Sequence, residues 1–148
     1  MNDKYRSLLN EIEAIIDPHL PLVSNLANVS SLLYTLDNIN WAGFYLSNKE
    51  HLYLGPFQGE VACTKIPFDK GVCGASCTQK KTIIVDDVNT FKGHIACSTL
   101  SKSEIVVPII KEQEVVGVID IDSPIYSRFN ENEKSLLELV ADSLSKLF

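Results

Sequence analysis

The sequence predicts an α+β domain in which helices pack on one face of an antiparallel sheet and a loop-roofed ligand pocket occupies the other. Three observations lead there. Two helical patterns precede any strand pattern, a third helical pattern closes the chain, and the short apolar runs between them are bracketed by turn residues. The middle of the chain, from Gly55 to Lys102, shows little periodicity yet holds all four cysteines, and a long irregular stretch of that kind is the natural place for a pocket. The chain has 148 residues, 45% hydrophobic and 22% charged, which is the composition of one ordinary domain spanning 1–148. No internal repeat or low-complexity linker divides it.

The elements follow in order. From Lys4 to Ile16, Tyr5, Leu8, Leu9, Ile12, Ile15 and Ile16 recur at three and four, the period of a helix with one apolar face, and Asp17-Pro18 stops it. Leu22, Leu26, Val29, Leu32, Leu33 and Leu36 mark a second stripe that leaves through Asn38 to Asn40. The segment WAGFYL, Trp41 to Leu46, is short, aromatic and bounded by Asn-rich turns, so it reads as a strand with Trp41, Gly43 and Tyr45 on one face. Leu52 to Leu54 pairs back after the turn Ser47 to Glu50. Thr82 to Val85, Glu104 to Ile110 and Val115 to Asp122 supply the remaining strands, the last two as a hairpin. Asn130, with Glu133 three residues on, reads as a capping box for a helix striped by Leu136, Leu137, Val140, Leu144 and Leu147.

Charge and composition exclude several classes. Thirteen basic residues against nineteen acidic give a net charge of −6, and no Lys/Arg cluster is present to neutralise a row of phosphates, so nucleic acid is not an expected partner. The first residues carry acidic groups inside the apolar pattern and lack the basic start and unbroken apolar core of a signal peptide, so a cytoplasmic protein is expected. No apolar run approaches the roughly 20 residues that cross a bilayer. In a reducing compartment, Cys63, Cys73, Cys77 and Cys97, gathered in about a quarter of the chain, read as reactive or buried thiols rather than as a disulfide framework. Their intervals of ten, four and twenty residues contain no C-x-x-C pair, which argues against a structural zinc site.

Carboxylates supply an independent clue. In VVGVIDID, period two places Val116, Val118, Asp120 and Asp122 on one strand face and Val115, Gly117, Ile119 and Ile121 on the other. Two acids at the end of an apolar strand face either solvent or a cationic ligand, because an unpaired charge is costly to bury. Glu104 joins them if the hairpin loop has an odd number of residues, such as Glu112 to Glu114, and a two- or four-residue loop turns it away.

The stretches NWAGFYL, LGPFQGEVACTKIPF, KGVCGASC, FKGHIACST, KSEIVVPII and GVIDIDSP resemble those of the GAF-domain free methionine-(R)-sulfoxide reductases, in the same order and with compatible spacing. The resemblance covers the chain from Asn40 to Phe129 and is most specific in VACTKIPF, GVCGAS and GHIACS. It implies a single GAF-type domain and a thiol reductase acting on the free amino acid, with functional cysteines matching Cys63, Cys73 and Cys97. Cys77 lies outside that pattern. The chemistry requires a thiolate to attack the sulfoxide sulfur, a proton for the leaving oxygen, and a second thiol to convert the sulfenic acid to a disulfide.

Cys97 matches the family's GHIAC cysteine and follows His94 by three residues, so it is the expected nucleophile. Cys63 is then the resolving thiol and Cys73 an alternative resolver or relay, with Cys73 as attacking thiol still open. Glu104, Asp120 and Asp122 match the acidic positions of the family's substrate pocket. Clustered, they raise one another's pKa and that of any thiol nearby, an effect that the substrate ammonium offsets. One of them held protonated donates to the sulfoxide oxygen, Glu104 before either aspartate. Trp41 and Tyr45 match residues that wall the pocket, against the ordinary alternative that strand aromatics are core. Backbone N–H groups of the Gly-rich middle are candidates for the substrate carboxylate, with none nameable from sequence. A thioredoxin-like protein is the expected reductant and no metal or organic cofactor is expected. The apolar stripes of the first and last helices make a homodimer a candidate assembly. The rival reading is a non-catalytic GAF sensor that binds a small ligand, against which stands the absence of any output segment after Phe148.

Overall fold

The computed structural model describes residues 1–94 and 100–148. Helix α1 (Asp3–Ile15) opens on Asn2, whose side chain accepts the Tyr5 N–H, and it ends as Ile16 turns extended ahead of Pro18. Helix α2 (Leu22–Leu33) is shorter than its stripe: Leu36 lies in the bend beyond it but is still buried. Strands β1 (Trp41–Ser47), β2 (His51–Gly59) and β3 (Lys65–Pro67) follow, then helix α3 (Gly71–Gln79), strand β4 (Ile83–Val85) and a 3₁₀ turn at Val88–Thr90. Strands β5 (Ser103–Lys111) and β6 (Glu114–Ser123) form the hairpin, and α4 (Glu131–Ser145) closes the chain on the predicted capping box of Asn130 and Glu133. The sheet runs β3-β2-β1-β6-β5-β4, and every neighbouring pair is antiparallel.

Three features depart from the sequence reading, all in or beside the middle segment. Strand β2 continues through Gly59 instead of ending at Leu54, because Gly55 and Pro56 form a bulge opposite Phe44: Gly43 pairs with Phe57 and Tyr45 with Leu54. Strand β3 then adds to the edge of the sheet. Helix α3, with the sequence GVCGASCTQ, has two glycines and no apolar stripe for periodicity to detect, and Thr78 fastens it by donating to the Phe68 carbonyl. The roof of the pocket therefore contains a helix as well as loops.

The two faces of the sheet are covered differently. Helices α1, α2 and α4 cover one, burying Ile12, Leu26, Leu33, Leu136 and Leu137 against Phe44 and Ile119. The stripes of α1 and α4 point into this core, so they are largely unavailable as a dimer seam. On the opposite face, α3 packs over a second cluster that includes Trp41, Tyr45, Leu52, Val72 and Val118. Among the described residues, no helix is long and apolar enough to cross a membrane.

Candidate functional site

The hairpin that carries the acids uses a two-residue turn, Glu112 and Gln113, both left-handed with φ of 52° and 69°. By the parity rule that length turns Glu104 away from Asp120 and Asp122, and here the structure corrects the sequence reading. Ile109 pairs with Gly117 but Ile110 pairs with Val115, so Val116 is an extra residue that bulges from β6 and restores the parity. Glu104 consequently stands opposite Asp122. The same bulge reverses the predicted facing of its neighbours: Val115 joins Val118 on the pocket side, and Val116 packs toward the helices.

Strand β6 lies between β5 and β1, so the acids are flanked by Glu104 on one side and the aromatic wall on the other. Asp122 pairs with Trp41 and Asp120 with Gly43. Gly43 is required there because a Cβ at this position would stand 2.3 Å from the Phe57 Cβ. Without it, Phe57 stacks on Trp41 at 5.1 Å between ring centroids, and Trp41 stacks on Tyr45 at 5.9 Å. The Trp41 Nε1–H donates to the Glu60 carbonyl and the Tyr45 hydroxyl donates to the Cys63 carbonyl, at 3.1 and 2.9 Å. Both rings are buried packing residues and both line the cavity.

Cys73, Glu104, Asp120 and Asp122 supply the polar lining of that cavity, with His94 and Ser101. The Cys73 sulfur and a carboxyl oxygen from each of Glu104 and Asp120 lie within 4.8 Å of one another. His94 Nε2 is 3.9 Å from Glu104 Oε1. Asp120 Oδ1 is buried and, among the described residues, has no hydrogen-bond partner.

The electrostatics follow from burial and crowding. Burial, and then the charges of Asp120 and Asp122, push the Glu104 carboxyl well above its ordinary range. Burial does the same to Asp122, with Asp120 adding to it. Asp120 is also raised by burial, but hydrogen bonds from Glu104 and Cys73 and the proximity of His94 favour its charged form. The contacts of Asp120 thus favour its charged form, whereas burial and the neighbouring carboxylates favour the protonated form of Glu104. The Cys73 thiol is driven well above its usual value by burial and then by the three carboxylates, as the cluster predicts. Burial pushes the His94 imidazole down, partly opposed by Asp120.

The cysteines fall into different settings. Cys63 is disulfide-bonded, whereas Cys73 and Cys77 are buried free thiols. Burial pushes the Cys77 thiol up to about 12, and its side chain packs in the pocket-side core. Cys97, the expected nucleophile, lies outside the described residues.

Sequence reasoning missed part of the lining. Val61 and Ala62 line the cavity from the loop before β3, Ile66 from β3 at the sheet edge and Ser101 from the loop before β5. The first turn of α3, Gly71 to Cys73, also lines it, and Lys70 provides no side-chain cap for that turn. The Gly71 N–H donates to the Gly93 carbonyl at 3.1 Å, and the Val72 and Cys73 N–H groups, which as first-turn donors lack intrahelical acceptors, are candidates for the backbone donors that sequence could not name. The one legible signal was Gly71, whose φ of 67° places it where glycine is favoured.

Comparison with known proteins places these features in context. The GAF domain model matches residues 11–147. The free methionine-R-sulfoxide reductase of Escherichia coli is 45% identical over 139 residues, covering 93% of this chain and 84% of that protein. The protein of the same name from Saccharomyces cerevisiae is 47% identical, covering 94% of this chain and 82% of its own. The X-ray structure of free methionine-R-sulfoxide reductase from Neisseria meningitidis in complex with its substrate superposes with a TM-score of 0.93 at 41% identity, over 100% of this chain and 92% of that one.

Proposed function

The chain belongs to the GAF domain family, and from that premise we propose that it is a free methionine-(R)-sulfoxide reductase, as relatives of 45–47% identity are named. The carrying observation is a buried pocket that seeks one cation: Asp120 with an unpartnered carboxyl oxygen, beside Glu104 and Asp122 and next to the Trp41 ring. The ammonium of a free amino acid answers that charge. The aromatic wall packs on the sulfoxide methyl group, and the α3 first turn offers N–H groups to the substrate carboxylate.

In this reading the Cys97 thiolate attacks the sulfoxide sulfur, and Glu104, holding its proton, protonates the oxygen. The hydroxyl then passes from the methionine sulfur to the Cys97 sulfur as the bond between the two sulfurs breaks, which releases methionine and leaves Cys97 as a sulfenic acid. The Cys63 thiol displaces that oxygen as water and forms a Cys63–Cys97 disulfide. A thioredoxin-like dithiol then returns both cysteines to thiols. Two observations support Cys63 as resolver: it is disulfide-bonded, and Cys73 remains a free thiol. The raised pKa of Cys73 speaks against it as the attacking thiol. The reading also includes a cytoplasmic protein and a homodimer formed through what α1 and α4 leave exposed, Ile15 and Leu139.

The test is Cys97→Ser. It should abolish methionine formation in a single turnover while leaving substrate binding intact, and near-normal turnover would remove Cys97 from its role. Peptide mapping after one turnover without reductant should find Cys63 joined to Cys97. A Cys73–Cys97 bond would transfer the resolving role to Cys73, and no intramolecular bond would remove the mechanism.

A further inference from the structure

We propose that the reduced pocket also binds one soft divalent cation, zinc above all, through the Cys73 thiolate and the carboxylates of Glu104 and Asp120, with His94 as fourth donor. The donor atoms of the first three already lie within 4.8 Å of one another. Zinc bonds of about 2.0–2.3 Å leave tetrahedral ligands roughly 3.3–3.8 Å apart, so side-chain rotations of about an ångström close the set. His94 Nε2, 3.9 Å from Glu104 Oε1, stands near the distance that two ligands of one ion keep.

A second observation points to a ligand independently of the clustering. Asp120 is only 6% exposed and lines the cavity, and its Oδ1 has no hydrogen-bond partner among the described residues. A buried carboxylate oxygen without a donor is costly, and a cation relieves it. One sulfur, one imidazole nitrogen and two carboxylate oxygens form a zinc set, since calcium and magnesium take oxygen donors alone. The cysteine spacing speaks only against a structural zinc cluster, whose ligands come from short loops. Here the donors converge from α3, β5, β6 and the turn from Phe91 to His94. The site stands on this geometry and not on the reductase reading. If that reading holds as well, bound zinc denies the pocket to the substrate ammonium.

Cobalt(II) titrated anaerobically into the reduced full-length chain tests the site, because a thiolate ligand gives a near-ultraviolet charge-transfer band. One equivalent should produce the band. Cys73→Ser should lose it, and Cys77→Ser, whose thiol packs outside the cavity, should keep it. Asp120→Asn should weaken cobalt binding at least tenfold, the lower end of the ~10–100-fold that even outer-shell partners command. Near-ultraviolet circular dichroism checks that each variant keeps the native packing. A band that survives in Cys73→Ser, unchanged affinity in folded Asp120→Asn, or no stoichiometric binding by the reduced chain would each overturn the proposal.

Discussion

Glu104 shows how one residue acquires an unusual acidity from its surroundings. On an exposed strand it would be an ordinary carboxylate. Placed opposite Asp122 and diagonal to Asp120, and only 7% exposed, it is pushed well above the ordinary carboxyl range, which favours its protonated form. That cost has a sign. Folded pKa values raised above the unfolded values of about 4 give a contribution that is fully present below the unfolded pKa and lost as pH rises through the folded one. Glu104→Gln keeps the shape and hydrogen-bonding reach but cannot ionise. It should therefore melt higher than the parent at pH 8, with the difference vanishing near pH 4, and each kcal/mol gained would read as about 2–4 °C. Its turnover should fall about 10²–10⁴-fold, the range of a lost general acid. Scanning calorimetry and initial rates measure the two effects, and a variant that is both active and no more stable would relieve Glu104 of its assigned role.

At the scale of elements, legibility followed periodicity. Helices α1, α2 and α4 were readable because leucine and isoleucine recur at helical spacing, and α4 also announced its cap through Asn130 and Glu133. Helix α3 was not readable, because Gly71, Gly74, Ala75 and Ser76 are small and its burial comes from packing on the sheet. Val116 was hidden for another reason: a bulge is decided by long-range pairing, which a period-two rule cannot see. The acids and aromatics of the pocket were legible by residue type, strand face and family resemblance, whereas Val61, Ala62 and Ser101 became lining only through tertiary folding.

The start of α4 carries its own prediction. Glu133 accepts the Asn130 N–H, the Tyr5 hydroxyl and the Arg128 guanidinium, the latter two at 2.7 Å, and so ties α1 to α4. Burial raises its pKa, but these donors outweigh burial and hold the carboxyl below its ordinary value. Its contribution is present above the unfolded pKa and is lost as pH falls through the folded one. Glu133→Ala strands a largely buried Arg128, for which breaking such a pair costs about 3–5 kcal/mol. Asn130→Ala should cost only about 0.5–2 kcal/mol, the usual loss of a cap. Urea unfolding at neutral pH should rank them in that order, and the reverse order would show that the pair adds little beyond the cap.

Across the whole molecule the two faces of the sheet divide the work. The helix-covered face is a continuous apolar core, from Ile12 through Phe44 to Leu144, and it stabilises the fold. The other face buries carboxylates whose raised pKa values reflect the cost of charging them there, beside a Cys73 thiol whose neutral form burial favours. A pocket built this way discriminates by charge. Acylating the amine of the substrate removes its positive charge and leaves buried carboxylates unpaired, at about 1–3 kcal/mol for each unsatisfied group and more for a charged one. Every 1.4 kcal/mol is a factor of about ten, so peptide-bound methionine sulfoxide should be a very poor substrate.

The most direct measurement follows methionine release by the purified protein and dithiothreitol from the resolved epimers of free methionine sulfoxide, beside N-acetylmethionine (R)-sulfoxide. The expected result is methionine from the free R epimer, little from the S epimer, and a rate on the N-acetylated compound lower by tenfold or more. No methionine from the free R epimer would contradict the assigned reaction, and equal efficiency on the free and N-acetylated compounds would show that Glu104, Asp120 and Asp122 do not read the ammonium.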